Sequence, residues 1–175
     1  IHRTYEKLWE ANEVERAIFV GFHYEDVEKR RAEFHPQGAK TALTVKCMAN
    51  EILPFIDAQF PTYKVGNGRV ILGDSLAGSA ALITALSYPR IFSQVGLLSP
   101  QHDEVIQTLI ERCHFQEQLT IWHTVGLEEK DFALPTTGKQ ADFLTPNRQL
   151  KSIIENSDIT YHYACLLYTS DAADE

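Results

Sequence analysis

Residues 69–78 read R-V-I-L-G-D-S-L-A-G, an apolar run that ends on Gly73-Asp74-Ser75-Leu76-Ala77 and passes at once into an apolar helical stretch. A serine on a sharp strand-to-helix turn is the arrangement of a nucleophile elbow, here in the form G-x-S-x-A. Such a turn brings strand and helix close together, so the positions two before and two after the serine must be small, as Gly73 and Ala77 are. The turn also aims the backbone N–H of Leu76 where it can hold an oxyanion, and the helix N-terminus adds a field favouring negative charge. The chemistry this allows is acyl transfer through Ser75. The alternative use of the same serine is as the N-cap of the helix that begins at Leu76.

A serine hydroxyl becomes a nucleophile near neutral pH only with a base in reach, so the histidines matter next. His23, beside Glu25 and Asp26, lies in a polar stretch and reads as surface rather than as a metal ligand. His35 and Arg31 could contact a substrate or anchor a loop. His102 follows an apolar run, where it could line a pocket or open a helix at the surface. His123 sits inside an apolar run beside Trp122 and reads as a satisfied core residue. His162, the last histidine, also lies within a strand-like run, and none follows it. Asp74 adjoins Ser75 and could set its electrostatics or pair with a neighbour.

The elements that must position these residues alternate. Tyr5, Leu8 and Trp9 share a helical face, and residues 17–22, A-I-F-V-G-F, have the length and composition of a strand. Residues 23–38 read as a long polar loop. A helical period returns over 41–59, with Pro54 as a kink or restart. After the Gly66-Asn67-Gly68 turn, the pattern predicts strands over 69–72, 95–98, 119–125 and 159–163. Helices are expected over 76–87, 104–112 and 142–155. Strands apolar on both faces and separated by helices predict one parallel sheet covered on both sides, in a single α/β domain.

Composition excludes several classes. The 175 residues carry 24 Asp+Glu against 16 Lys+Arg, a net charge of -8, with 44% hydrophobic and 23% charged residues. That is a folded-domain balance, neither disordered nor collagen-like. An acidic chain is poorly matched to nucleic acid, and no apolar run approaches the roughly 18 residues of a membrane span. Cys47, Cys113 and Cys165 have no spacing of a disulfide framework or zinc site, which points to a reducing, cytoplasmic setting. No metal or cofactor is implied, and oligomeric state is open. The last eleven residues, CLLYTSDAADE, back-translate onto the adapter end of transposase-based sequencing libraries. The domain is therefore expected over 1–164, with 165–175 an adapter-derived tail and natural sequence continuing beyond both ends.

G-D-S-L-A-G followed by A-L-S-Y-P-R-I-F-S-Q-V-G-L-L-S-P resembles the putative-esterase group of α/β hydrolases, in its enterochelin-esterase-like or esterase D-like branch. The segments E-R-A-I-F-V-G, R-R-A-E-F-H-P, N-E-I-L-P-F-I and D-F-L-T-P-N-R-Q-L agree and run in the right order. The resemblance implies a three-layer α/β-hydrolase sandwich with a mostly parallel sheet, incomplete at its N- and C-termini. It implies a serine hydrolase acting on a small-molecule carboxylic ester through a Ser-acid-His triad. Setting V-G-L-E-E beside the family's strand–Gly–x–x–acid pattern places Glu129 at the acid position, with Asp131 as the alternative. The family's histidine lies in a Gly-rich loop after the last strand, and its second oxyanion donor in a loop before the first helix here. Both are expected outside this chain, which by itself should then show little activity. An acyl-thioester hydrolase, or a non-catalytic binding module of the same fold, remain the alternatives.

Overall fold

The structure, a computed structural model, describes residues 2–134 and 138–167. The chain opens with α1 (His2–Glu10), α2 (Val27–Phe34), α3 (Thr41–Cys47) and α4 (Leu53–Gln59), then alternates. β1 (Val70–Asp74), α5 (Leu76–Ser87), β2 (Gln94–Leu98), α6 (Glu104–Arg112) and β3 (Thr120–Gly126) follow. A short antiparallel pair, β4 (Phe132–Ala133) and β5 (Gln140–Ala141), precedes α7 (Leu144–Glu155) and β6 (Thr160–Leu166). β6 thus runs through Cys165 and Leu166, which pair with Val125 and Gly126.

The main sheet has the order β1-β2-β3-β6, every pair parallel. Parallel neighbours joined in sequence by helices place those helices on one face, because each crossover has the same hand. Here α5, α6 and α7 build one core with the strands: Leu82, Leu86, Ile106, Ile110, Leu150 and Ile154 close over Val95, Leu97 and Ile121. α5 is apolar nearly all round and buried, and stops at Tyr88-Pro89, where proline cannot continue a helix. α6 begins at Asp103, whose carboxylate accepts from Val105 N at 3.0 Å.

Three sequence expectations differ from the structure. Residues 17–22 form no strand. A strand exists only against a partner edge, and this run has no ladder among the described residues; Phe19 instead meets Tyr5 edge-on at 4.8 Å, and Phe22 lies against Phe34. Residues 27–34, expected as loop, are α2, capped by Asp26 Oδ1 accepting from Lys29 N at 2.7 Å. Its polar sequence carries no apolar stripe, so periodicity is silent there. The sheet face opposite the helices leaves Val70, Leu72 and Trp122 exposed, so cover on that side is not complete among the described residues. At Pro54 the helical path continues, with a π-helical turn over Met48–Ile52 absorbing the proline before α4.

Candidate functional site at the C-terminal edge of the sheet

In a parallel sheet every strand delivers its following loop to the same edge, and ligands bind there. Asp74, Leu98, Thr124 and Ala164 stand abreast across that edge. Ser75 comes next after β1, at φ 56° and ψ -124°, a backbone conformation that costs a non-glycine residue energy. Backbone bonds hold it there: Ser75 N donates to Leu98 O at 2.9 Å, and Ser75 O accepts from Ser79 N at 3.1 Å and from Gln101 N at 3.4 Å. The hydroxyl does not cap α5, so the capping alternative does not describe this serine. The N–H groups of Leu76, Ala77 and Gly78 fall in the first turn of α5, where no helical carbonyl reaches them.

The turn is as tight as the small residues suggested. A Cβ on Gly73 would stand 2.2 Å from both the backbone C and O of Ala77. Those are main-chain atoms that cannot rotate away. Gly73→Ala is therefore expected to destabilise the fold by on the order of 3 kcal/mol. Urea unfolding with an unchanged m-value checks this, and a midpoint equal to wild type would show that the turn can open.

Glu129 and Asp131 follow β3 by three and five residues and end up in different environments. Glu129 is 5% exposed in the turn Leu127–Lys130; its Oε1 accepts from Gly126 N at 3.2 Å, and its carbonyl accepts from Phe143 N at 2.8 Å. Asp131 is exposed. β3, which delivers Glu129, lies two strand spacings from β1, which delivers Ser75, about 10 Å between the strands.

His35 is an anchor. Thr41 Oγ1 donates to its carbonyl at 2.6 Å, and its Nε2 meets the side-chain amide of Gln101 at 2.8 Å. Arg31 and His35 line a shallow cavity of about 510 Å³ on this flank. His102 is half-buried where α6 begins; its Nδ1 is enclosed with no hydrogen-bond partner among the described residues. Burial holds its imidazole below the ordinary value, against the opposing pull of Asp103. His162 lies on the open sheet face, stacked on Trp122 at 5.5 Å and away from the edge that carries Ser75. His23 stacks on Tyr24 at the surface.

His123 is buried, as its apolar run suggested, and belongs to a network that sequence reasoning missed. Asn147 Nδ2 donates to Pro100 O at 3.1 Å and Phe143 O at 2.7 Å. Its Oδ1 must then accept from His123 Nε2–H at 2.6 Å, and His123 Nδ1 accepts from Tyr161 OH at 2.7 Å. The chain of bonds ties β3, β6 and α7 to the loop after β2, beside Ser75. The signal for Asn147 was a polar residue in helical register with Leu144, Leu150 and Ile154, all inward-facing.

Burial pushes His123 down to about 4, from 6.5. Between those values the unfolded chain binds a proton that the folded one refuses, so stability falls as pH drops from about 6.5 to about 4. The expected loss is about 3 kcal/mol. Urea midpoints across this range, compared with His123→Gln, isolate the contribution. Parallel profiles for the two proteins would show that His123 is not its source.

Comparison with known proteins follows the same lines. Residues 1–169 match the family model described as putative esterase. The chain is 36% identical over 163 residues to "Uncharacterized protein YjcH" of Bacillus subtilis (strain 168), covering 93% of this chain and 68% of that one. Among solved structures, the enterobactin esterase FES from Shigella flexneri in the presence of enterobactin superposes with TM-score 0.64 at 21% identity, over 84% of this chain and 36% of that one. The IroE-like serine hydrolase from Shewanella oneidensis gives TM-score 0.59 at 13% identity, over 81% and 51%. At these identities the superpositions establish the α/β-hydrolase fold. The chain spans about a third of the enterobactin esterase's length and half that of the IroE-like hydrolase.

Proposed function

The chain belongs to the putative esterase family, and from that premise we propose that its protein hydrolyses carboxylic esters with Ser75 as the nucleophile. The observation that carries this reading is the strained backbone of Ser75, held at φ 56° on a strand-to-helix turn while its hydroxyl is left out of helix capping. Strain of this kind persists where the surrounding structure over-determines it, and it clusters at reactive sites.

Ser75 Oγ attacks the acyl carbon, and the tetrahedral oxyanion forms against Leu76 N–H at the positive end of α5. A histidine takes the hydroxyl proton and passes it to the departing alcohol; water then repeats the sequence and frees the acid. Glu129 is the residue that orients this histidine. Its burial supports the assignment over Asp131, because an enclosed carboxylate stabilises an imidazolium more strongly than one in water. The family resemblance puts the histidine in the loop after β6, and the chain has no histidine past His162. The activity is therefore to be assayed on the full-length gene product. A fluorophosphonate is expected to stop para-nitrophenyl ester hydrolysis and to leave one adduct, located by mass spectrometry on Ser75. An adduct elsewhere, or hydrolysis that persists in fully labelled protein, rejects the assignment.

A further inference from the structure

Ser75 O and Leu76 N–H belong to one peptide unit, and a trans peptide points its carbonyl and its N–H in opposite directions. Whatever holds the carbonyl therefore aims the N–H that meets the oxyanion in the proposed reaction. Ser79 N donates to this carbonyl at 3.1 Å and Gln101 N at 3.4 Å. The second bond is long, so it orients the turn only if the peptide that donates it is itself fixed.

That peptide joins Pro100 to Gln101, and its other end is held from α7. Asn147 Nδ2 donates to Pro100 O at 3.1 Å, on the side opposite Gln101 N–H. Asn147 is fully buried and every polar atom of its side chain is taken by protein: Nδ2 also donates to Phe143 O at 2.7 Å, and Oδ1 faces His123 Nε2 at 2.6 Å. Ser79 Oγ braces the same peptide unit's neighbour, donating to Gln101 O at 2.6 Å. The loop leaves β2 at Ser99, held at φ 41°, whose N–H donates to Thr124 O at 2.9 Å. Two strained residues, Ser75 and Ser99, thus follow paired strands, and the Pro100–Gln101 peptide bridges from one turn to α7.

We propose that Asn147 is a positioning residue for the ester hydrolysis: through the Pro100–Gln101 peptide it keeps Leu76 N–H aimed at the oxyanion. The inference rests on Ser75 being the nucleophile. An oxyanion donor lowers the barrier only when it is oriented before the charge develops. Misalignment therefore lowers the rate of the chemical step and leaves ground-state binding alone.

The test uses the full-length gene product, para-nitrophenyl butyrate, and propyl trifluoromethyl ketone, which adds to Ser75 Oγ as a tetrahedral oxyanion with the same acyl chain. Asn147→Leu keeps the side chain's size and removes its donors. It is expected to lower kcat about 30-fold, leave KM within about twofold, and weaken the ketone by about as much as kcat falls. Ser79→Ala removes only the hydroxyl that braces Gln101 O, and is expected to move kcat and ketone affinity together by about fivefold. Leu150→Ala opens a cavity under α7 away from these bonds. Its urea midpoint should fall while kcat and ketone affinity stay within about twofold of wild type. If Asn147→Leu does not fold, Ser79→Ala decides alone. Wild-type kcat in a folded variant of Asn147 or Ser79, a kcat loss with ketone affinity unchanged, or an equal loss in Leu150→Ala overturns the proposal. Hydrolysis that survives Ser75→Ala is a separate result and overturns the nucleophile assignment with it.

Discussion

Ser75→Ala in the full-length gene product is expected to lower kcat/KM for para-nitrophenyl butyrate by on the order of 10⁴-fold or more. In the proposed mechanism alanine removes the attacking oxygen and leaves the Leu76 N–H donor and the binding surface, which together would sustain only a small residual rate. The substitution is also clean. The Ser75 hydroxyl makes no capping bond, and the bonds that hold the turn, to Leu98 O and from Ser79 N and Gln101 N, are backbone bonds that alanine keeps. Stability should therefore stay within about 0.5 kcal/mol of wild type. Loss of activity at unchanged urea midpoint would identify the nucleophile. Activity within tenfold of wild type would return Ser75 to a structural role.

Glu129→Gln is expected to cost on the order of 10³-fold in kcat with KM little changed. Glutamine preserves shape, and its carbonyl oxygen can still accept from Gly126 N as Glu129 Oε1 does at 3.2 Å. Only the charge is lost, and in the proposed triad that charge sets the histidine's tautomer and steadies its imidazolium. Asp131→Asn serves as the comparison. Asp131 is exposed, where its field is screened by water, so its removal is expected to change kcat less than about twofold. The opposite ranking would move the acid to Asp131. Equal small effects would leave the triad without an acid from this turn.

The parts of the site legible in sequence are those whose physics is local. Gly73, Ser75 and Ala77 are readable because the collision that demands small residues occurs between atoms four positions apart, across one turn. α5 and α6 match their expected spans because a buried helix writes its apolar positions at a fixed period, and because Asp103 and Pro89 mark their ends. Residues 17–22 misled for the same reason: a strand-like composition says nothing about whether a partner edge is present. α2 was invisible because it carries hardly any apolar stripe, and yet it is the element that delivers His35.

Sequence by itself determined the fold class, the turn at Ser75, and the placing of Glu129 and Asp131 just beyond one strand. Tertiary structure alone decided which of those carboxylates is buried and which is wet, because that depends on Phe143 and the start of α7 folding back over the turn. It alone paired His35 with Gln101, 66 residues apart, and joined His123 to Asn147 and Tyr161. Spacing reports neighbours within a turn or two of chain. Those longer bonds exist only after β6 has been laid beside β3 with α7 packed on both, and the segment after α2 has been closed onto the loop after β2.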